Sequence, residues 1–146
     1  MHGTRRINAL NLLCPWQALT CADNVMRWIS HCKFVTLGRW QPFHDGHLEL
    51  FKRALAKTGQ VAIQVRDCQD WDNSNPFSYE QIKNSIMSKL SDNGYIMVKD
   101  YIIQLVPNIT NITYGRKVGY DIEQEYFDES ITQISGTKIR KRLGLS

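Results

Sequence analysis

The chain has 146 residues, is 42% hydrophobic and 22% charged, and carries a net charge of +4. Those values fit one globular domain with a real core, and they exclude a disordered or fibrous chain. The mild positive charge suits an anionic small molecule as well as a nucleic acid, and no apolar run approaches the ~18 residues needed to span a bilayer.

Residues 1–31 are expected to form an N-terminal extension, with residues 32–146 as the functional domain. Arg5-Arg6 followed by Leu10, Leu12 and Leu13 has the outline of a targeting segment, but Asn8, Asn11 and Pro15 interrupt it. Cys14, Cys21, Cys32 and Cys68 show no CxxC spacing, which predicts reduced thiols in a cytoplasmic protein.

From Lys33 the pattern becomes regular. A strand is predicted over 33–37, then a loop over Gly38–Gly46 and a helix from His47 to Lys57 that Thr58-Gly59 stops. Val61–Val65 reads as a second strand, and Asp67–Pro76 is polar and turn-rich. Ser78 is placed to cap a helix whose apolar face carries Ile82, Ile86, Met87 and Leu90. After a turn at Asp92-Asn93-Gly94, strand is predicted within Tyr95–Val106 and again at Ile112-Thr113-Tyr114, and a closing helix over Ser135–Leu143. Strands alternating with helices predict an α/β fold, a mostly parallel sheet flanked by helices, with ligands bound beyond the carboxyl ends of the strands.

The loop after the first strand holds His44-Asp45-Gly46-His47. Two imidazoles at a helix N-terminus can both donate to one anion, and Gly46 leaves the backbone open to a ligand. Two other readings stay open on local chemistry: a pair of satisfied structural histidines, or metal ligation by His44, Asp45 and His47. Near the other end, Ser135 and Thr137 offer hydroxyls at a helix start and Arg140 lies one turn on, a combination able to hold a triphosphate or merely to cap a basic helix.

The stretch Gly38-Arg39-Trp40-Gln41-Pro42-Phe43-His44-Asp45-Gly46-His47 resembles the HxGH signature of the nucleotidyltransferase superfamily, in the form found in archaeal-type nicotinamide mononucleotide adenylyltransferases. Asn75-Pro76-Phe77-Ser78 resembles a second motif of that branch. Ile134-Ser135-Gly136-Thr137-Lys138-Ile139-Arg140 is similar to the superfamily's C-terminal ISxTxxR motif. The resemblance spans roughly residues 33–143 and implies a Rossmann-like nucleotidyltransferase fold.

It also implies transfer of a nucleoside monophosphate, AMP from ATP before other nucleotides, to a phosphorylated small molecule, with Mg²⁺ carried on the nucleotide phosphates and pyrophosphate released. By the same resemblance His44 and His47 would be catalytic. Gly38, Arg39, Gly46, Ser135, Thr137 and Arg140 would bind the nucleotide, and Arg66, Asn75 and Arg116 are candidates for the acceptor. No residue set is expected to bind a metal directly. A homo-oligomer is the expectation from the family.

The chain departs from the adenylyltransferase branch at Arg66-Asp67-Cys68-Gln69, where a small Gly/Ser-rich segment is usual, and between Leu90 and Ile134. Trp71 and Tyr114 are the aromatic candidates for stacking on an acceptor base. A cytidylyltransferase using CTP and a small phosphorylated alcohol, and a nucleotide-binding regulatory module without turnover, are the competing readings. Nucleic acid is not expected, because aromatics are not interleaved with the basic residues.

Overall fold

Val61, Ile63 and Val65 alternate along the central strand, and the fold is assembled on the face to which they point. The structure is a computed structural model that describes residues 33–68, 74–116, 119 and 121–145. The expected extension at 1–31, and Trp71 with its neighbours, lie outside the described residues.

The order is β1 (Phe34–Gly38), α1 (Asp45–Thr58), β2 (Val61–Arg66), α2 (Tyr79–Asp92), β3 (Tyr101–Val106), α3 (Glu129–Thr132) and α4 (Gly136–Arg142). The strands form one parallel sheet in the order β1-β2-β3, with Thr36 beside Ile63 and Ile63 beside Ile103. This is the expected α/β, Rossmann-like arrangement. Both crossovers step the same way across the sheet, so right-handed connections place α1 and α2 on one face. Leu48, Phe51 and Ala54 of α1 meet Ile82, Ile86 and Leu90 of α2 there, over the three valine and isoleucine side chains of β2. Each of the leucine, isoleucine, valine and phenylalanine side chains among these contributes about 1.5–3 kcal/mol relative to exposure. Phe51 also meets the rings of Tyr95 and Tyr101 edge-on, with centroids 5.0 and 5.9 Å away.

Local chemistry sets the helix ends. Ser78 Oγ accepts the Gln81 N–H at 3.2 Å while Gln81 Oε1 accepts the Ser78 N–H at 2.8 Å, the reciprocal pairing that fixes the start of α2. Gly59 ends α1 in the left-handed region at φ 75° and donates its N–H to Leu55 O at 2.7 Å.

Three predicted boundaries are corrected. Helix α1 starts at Asp45 rather than His47, which makes His44 its N-cap and puts Gly46 inside the first turn. Strand begins only at Tyr101, because Val98 turns the chain with φ 72° and the Asp100 carboxylate accepts the Ile96 N–H at 2.8 Å. Ile112–Tyr114 is irregular, with Ile112 66% exposed, and pairs with no described strand. β-branched and aromatic residues favour strand only where a neighbouring strand and a buried face receive them.

Candidate active site

The turn between β1 and α1 is pinned from below by Trp40. Its indole is buried and donates Nε1–H to Gln64 O of β2 at 2.9 Å, while its backbone sits at φ 54°, uncommon for a residue with a bulky side chain. A Cβ on Gly38 would stand 2.9 Å from Trp40 Cε2, so glycine at the end of β1 lets the indole fold back. Trp40 in turn meets His47 edge-on at 4.8 Å.

His44 and His47 stack with ring centroids 3.6 Å apart and planes 22° apart. His47 Nδ1 accepts the His44 backbone N–H at 3.3 Å, which leaves the ring proton on Nε2. Burial first, and the neighbouring His44 second, lower the His47 pKa to about 3, so this imidazole is neutral at physiological pH. His44 is also lowered, mainly by burial, with Asp45 opposing and Lys89 assisting. Gly46 serves the histidines themselves: a Cβ there would lie 3.1 Å from His44 Cε1. His44 Nδ1 is buried and has no hydrogen-bond partner among the described residues.

Arg140 arrives from the far end of the domain. It is 8% exposed, its Nη1 donates to Gln41 O, and its Nη2 donates to Thr137 Oγ1 at 3.1 Å. Its Nε has no partner, and it forms no ion pair, among the described residues. Gly136 makes the approach possible, since a Cβ there would stand 3.0 Å from Gln41 O. Around these groups lies an open pocket of about 210 Å³ lined by Arg39, Trp40, Gln41, His44, His47, Gly136, Thr137 and Arg140.

Of the residues picked from sequence, the pocket therefore gathers Arg39, His44, His47, Thr137 and Arg140. Gly38 and Gly46 shape it from behind. Ser135 caps α4, its Oγ accepting the Lys138 N–H at 3.3 Å, and does not line the cavity. Asn75 touches the rim, its Oδ1 accepting from Arg39 at 3.4 Å. Arg66 turns to Asn108 Oδ1 at 2.6 Å, and Arg116 is exposed; neither lines the pocket.

Sequence reasoning missed Gln41. Its side-chain amide donates to Phe77 O at 2.9 Å and accepts the Phe77 N–H at 3.0 Å, while its own carbonyl takes Arg140. One residue thus ties together the histidine turn, the Asn75–Ser78 segment and the C-terminal helix. Nothing local in the sequence marks it, because its partners lie 36 and 99 residues away.

The neutral His47 has a consequence for stability. Unfolded, the ring titrates at its ordinary 6.5, whereas folded it resists protonation until about 3. Its contribution is complete above pH ~6.5 and is lost as pH falls toward 3, because the unfolded chain binds the proton first. The melting temperature of the protein is expected to fall between about pH 6.5 and 4, and the fall to be shallower in His47→Asn. Equal slopes in a calorimetric pH series would contradict the assignment.

The first crossover turn of this parallel sheet carries stacked histidines, faced by a buried guanidinium with no ion pair among the described residues, and the fold is that of an α/β protein of the nucleotidyltransferase kind. The comparisons with known proteins agree. The profile described as cytidylyltransferase-like matches residues 35–104. A nicotinamide-nucleotide adenylyltransferase of Methanococcus maripaludis is 30% identical over 73% of this chain and 75% of its own length. Enzymes of the same name from Saccharolobus solfataricus (33% identical, 56% of this chain, 48% of theirs) and Ignicoccus hospitalis (37%, 49% and 42%) are similar over shorter stretches. The chain belongs to the cytidylyltransferase-like family and is a nucleotidyltransferase. Among the described residues, no helix is long and apolar enough to cross a membrane.

Proposed function

We propose that the protein transfers AMP from ATP to a phosphorylated small molecule, with nicotinamide mononucleotide as the first candidate acceptor, and releases pyrophosphate. The observation that carries this reading is the buried guanidinium of Arg140 facing the histidine turn without a carboxylate partner among the described residues. A desolvated cation is costly unless something anionic joins it, and a polyphosphate is the ligand such a pocket would repay. The adenylyl donor and the acceptor rest on the names of the archaeal relatives.

In this reading an acceptor phosphate oxygen attacks the α-phosphorus in line, and the bond from that phosphorus to the bridging oxygen breaks toward the β-phosphate. The new phosphoanhydride forms as pyrophosphate leaves, with no covalent enzyme intermediate. His47 donates from Nε2–H, and the neutral ring does so without releasing a proton. Arg140 and Thr137 hold the leaving phosphates, while Arg39 guards the open side. Catalysis is positioning and charge stabilisation.

Mg²⁺ is implied by the family, but the residues do not build a site for it. Among those described, no three His, Cys, Asp or Glu side chains gather, and Asp45 pairs with Lys89 Nζ at 2.6 Å. The pocket's charged donors suit phosphate oxygens, so the ion is proposed to arrive on the nucleotide, where it neutralises phosphate charge. That also weighs against metal ligation by His44, Asp45 and His47.

The test is a pyrophosphate-release assay with four nucleoside triphosphates against a panel of phosphorylated acceptors. Release with ATP and nicotinamide mononucleotide is expected. Release only with CTP would replace the reading with cytidylyl transfer, and release with no pair would leave a nucleotide-binding module.

A further inference from the structure

The half of the pocket that carries Thr137 and Arg140 stands on short elements. Helix α3 has four residues, α4 has seven, and three residues join them. No strand of the sheet runs into either. What precedes them is an acidic segment with Asp121, Glu123, Glu125 and Asp128. It lies along α1, where Arg53 and Lys57 receive it.

The contacts are dense for a surface segment. Lys57 Nζ bridges Glu123 and Glu125, and Arg53 reaches Glu125 at 3.4 Å. Arg53 Nη1 also donates to Tyr126 O at 2.8 Å, and its guanidinium lies 4.5 Å from the centre of the Phe127 ring. The Glu125 side chain retains 18% exposure, which shelters this pair from the screening that weakens open surface pairs. Hydrogen bonds from Lys57 first, then Arg53, hold the Glu125 carboxyl below the usual carboxylate range.

The grip is passed on. Thr132 Oγ1 donates to Phe127 O at 3.1 Å, tying α3 to the gripped segment. Ile131 of α3 reaches the first turn of α1, where its Cγ2 would be 3.8 Å from a Cβ on Gly46. Lys138 Nζ then donates to Gln133 O at 3.3 Å, binding α4 to the end of α3.

We propose that Arg53 and Lys57 are positioning residues for nucleotide binding: by clasping Glu123–Phe127 they hold α3 and α4, and with them Thr137 and Arg140, against the histidine turn. The inference deepens the nucleotidyl-transfer reading and rests on it. Neither residue lines the pocket, so their effect on the ligand is indirect. Each ion pair is individually weak, and the clasp works because two cations of one helix meet carboxylates, a backbone carbonyl and an aromatic face of the segment together.

The experiment compares wild type, R53Q/K57Q and R53K/K57R in two measurements: amide hydrogen exchange, and ATP titration. In R53Q/K57Q, exchange at residues 129–142 is expected to accelerate while β2 stays protected, and the ATP dissociation constant to rise ~10-fold as preorganisation is lost. R53K/K57R, which keeps both charges, is expected to bind ATP within about twofold of wild type. Unchanged exchange at 129–142 in R53Q/K57Q would overturn the clasp. Faster exchange with unchanged ATP affinity would overturn its positioning role, leaving a strap that only stabilises the fold. Failure of wild type itself to bind ATP or any other nucleoside triphosphate would overturn the nucleotide reading and the positioning role with it, whatever the exchange data show.

Discussion

His44→Ala is expected to lower the rate of nucleotidyl transfer by about 10²–10³-fold while the protein stays folded, in line with the loss of one preorganised donor to a transition-state oxyanion. The rate loss follows from placement. His44 sits at the N-cap of α1, lines the pocket and keeps a buried Nδ1 without a partner among the described residues. The fold is expected to stay intact because the first N–H groups of α1, from His47 and Leu48, bond to the His44 backbone carbonyl at 2.9 and 3.0 Å, which alanine keeps. His47 is a less clean probe, because its Nδ1 accepts the His44 N–H and its ring packs on Trp40 and Phe43. Pyrophosphate release, read beside the thermal melt, checks both halves of the expectation. Wild-type rates in a well-folded His44→Ala protein would remove the histidines from the chemistry.

Arg140→Met is expected to separate ligand binding from stability. Pyrophosphate should raise the melting temperature of wild type, because a ligand bound only by the folded state adds RT ln(1 + [L]/Kd). In the variant that shift should vanish and kcat/KM for the nucleotide fall by about 10²-fold or more, since both the charge and its fork are gone. Without ligand, two effects oppose. Gln41 O loses its donor, costing about 1–3 kcal/mol, while the cost of keeping a cation out of water is removed as well. The ligand-free melting temperature should therefore move little. Retention of the pyrophosphate shift in Arg140→Met would show that the anion binds elsewhere.

What could be read from the chain alone was whatever is written locally. Ser78 and Gln81 stand at capping-box spacing, Gly59 follows a last turn that carries Lys57, and Ile82, Ile86 and Leu90 repeat every four residues, so the boundaries of α2 and the end of α1 follow from short-range chemistry. Ile112-Thr113-Tyr114 failed because strand preference is a statement about neighbours, and here there is none among the described strands. The site divides in the same way. The histidines announce themselves within four residues, but their stacking, and the use of Gly46 to admit the His44 ring, depend on the helix starting earlier than its apolar pattern suggests. The burial of Arg140 could not be seen, because its acceptor is a backbone carbonyl 99 residues away and a carbonyl leaves no mark in a sequence. The profile match ends at residue 104, short of that helix. The acidic clasp was equally hidden, since alternating charges look like solvated surface until the helix opposite is known.

Gln41 joins contacts made at very different separations along the chain, 36 residues to Phe77 and 99 to Arg140. The sheet and the histidine turn are complete once β3 has formed, and Phe77 can close on the Gln41 amide by then. A nascent chain still lacking residue 140 would hold the imidazoles in place, yet the Gln41 carbonyl would wait for its donor and the pocket for its strongest charge. Long-range contacts of this kind form after local ones. A chain shortened before residue 140 would therefore keep the histidine turn and lack the guanidinium proposed to grip the nucleotide.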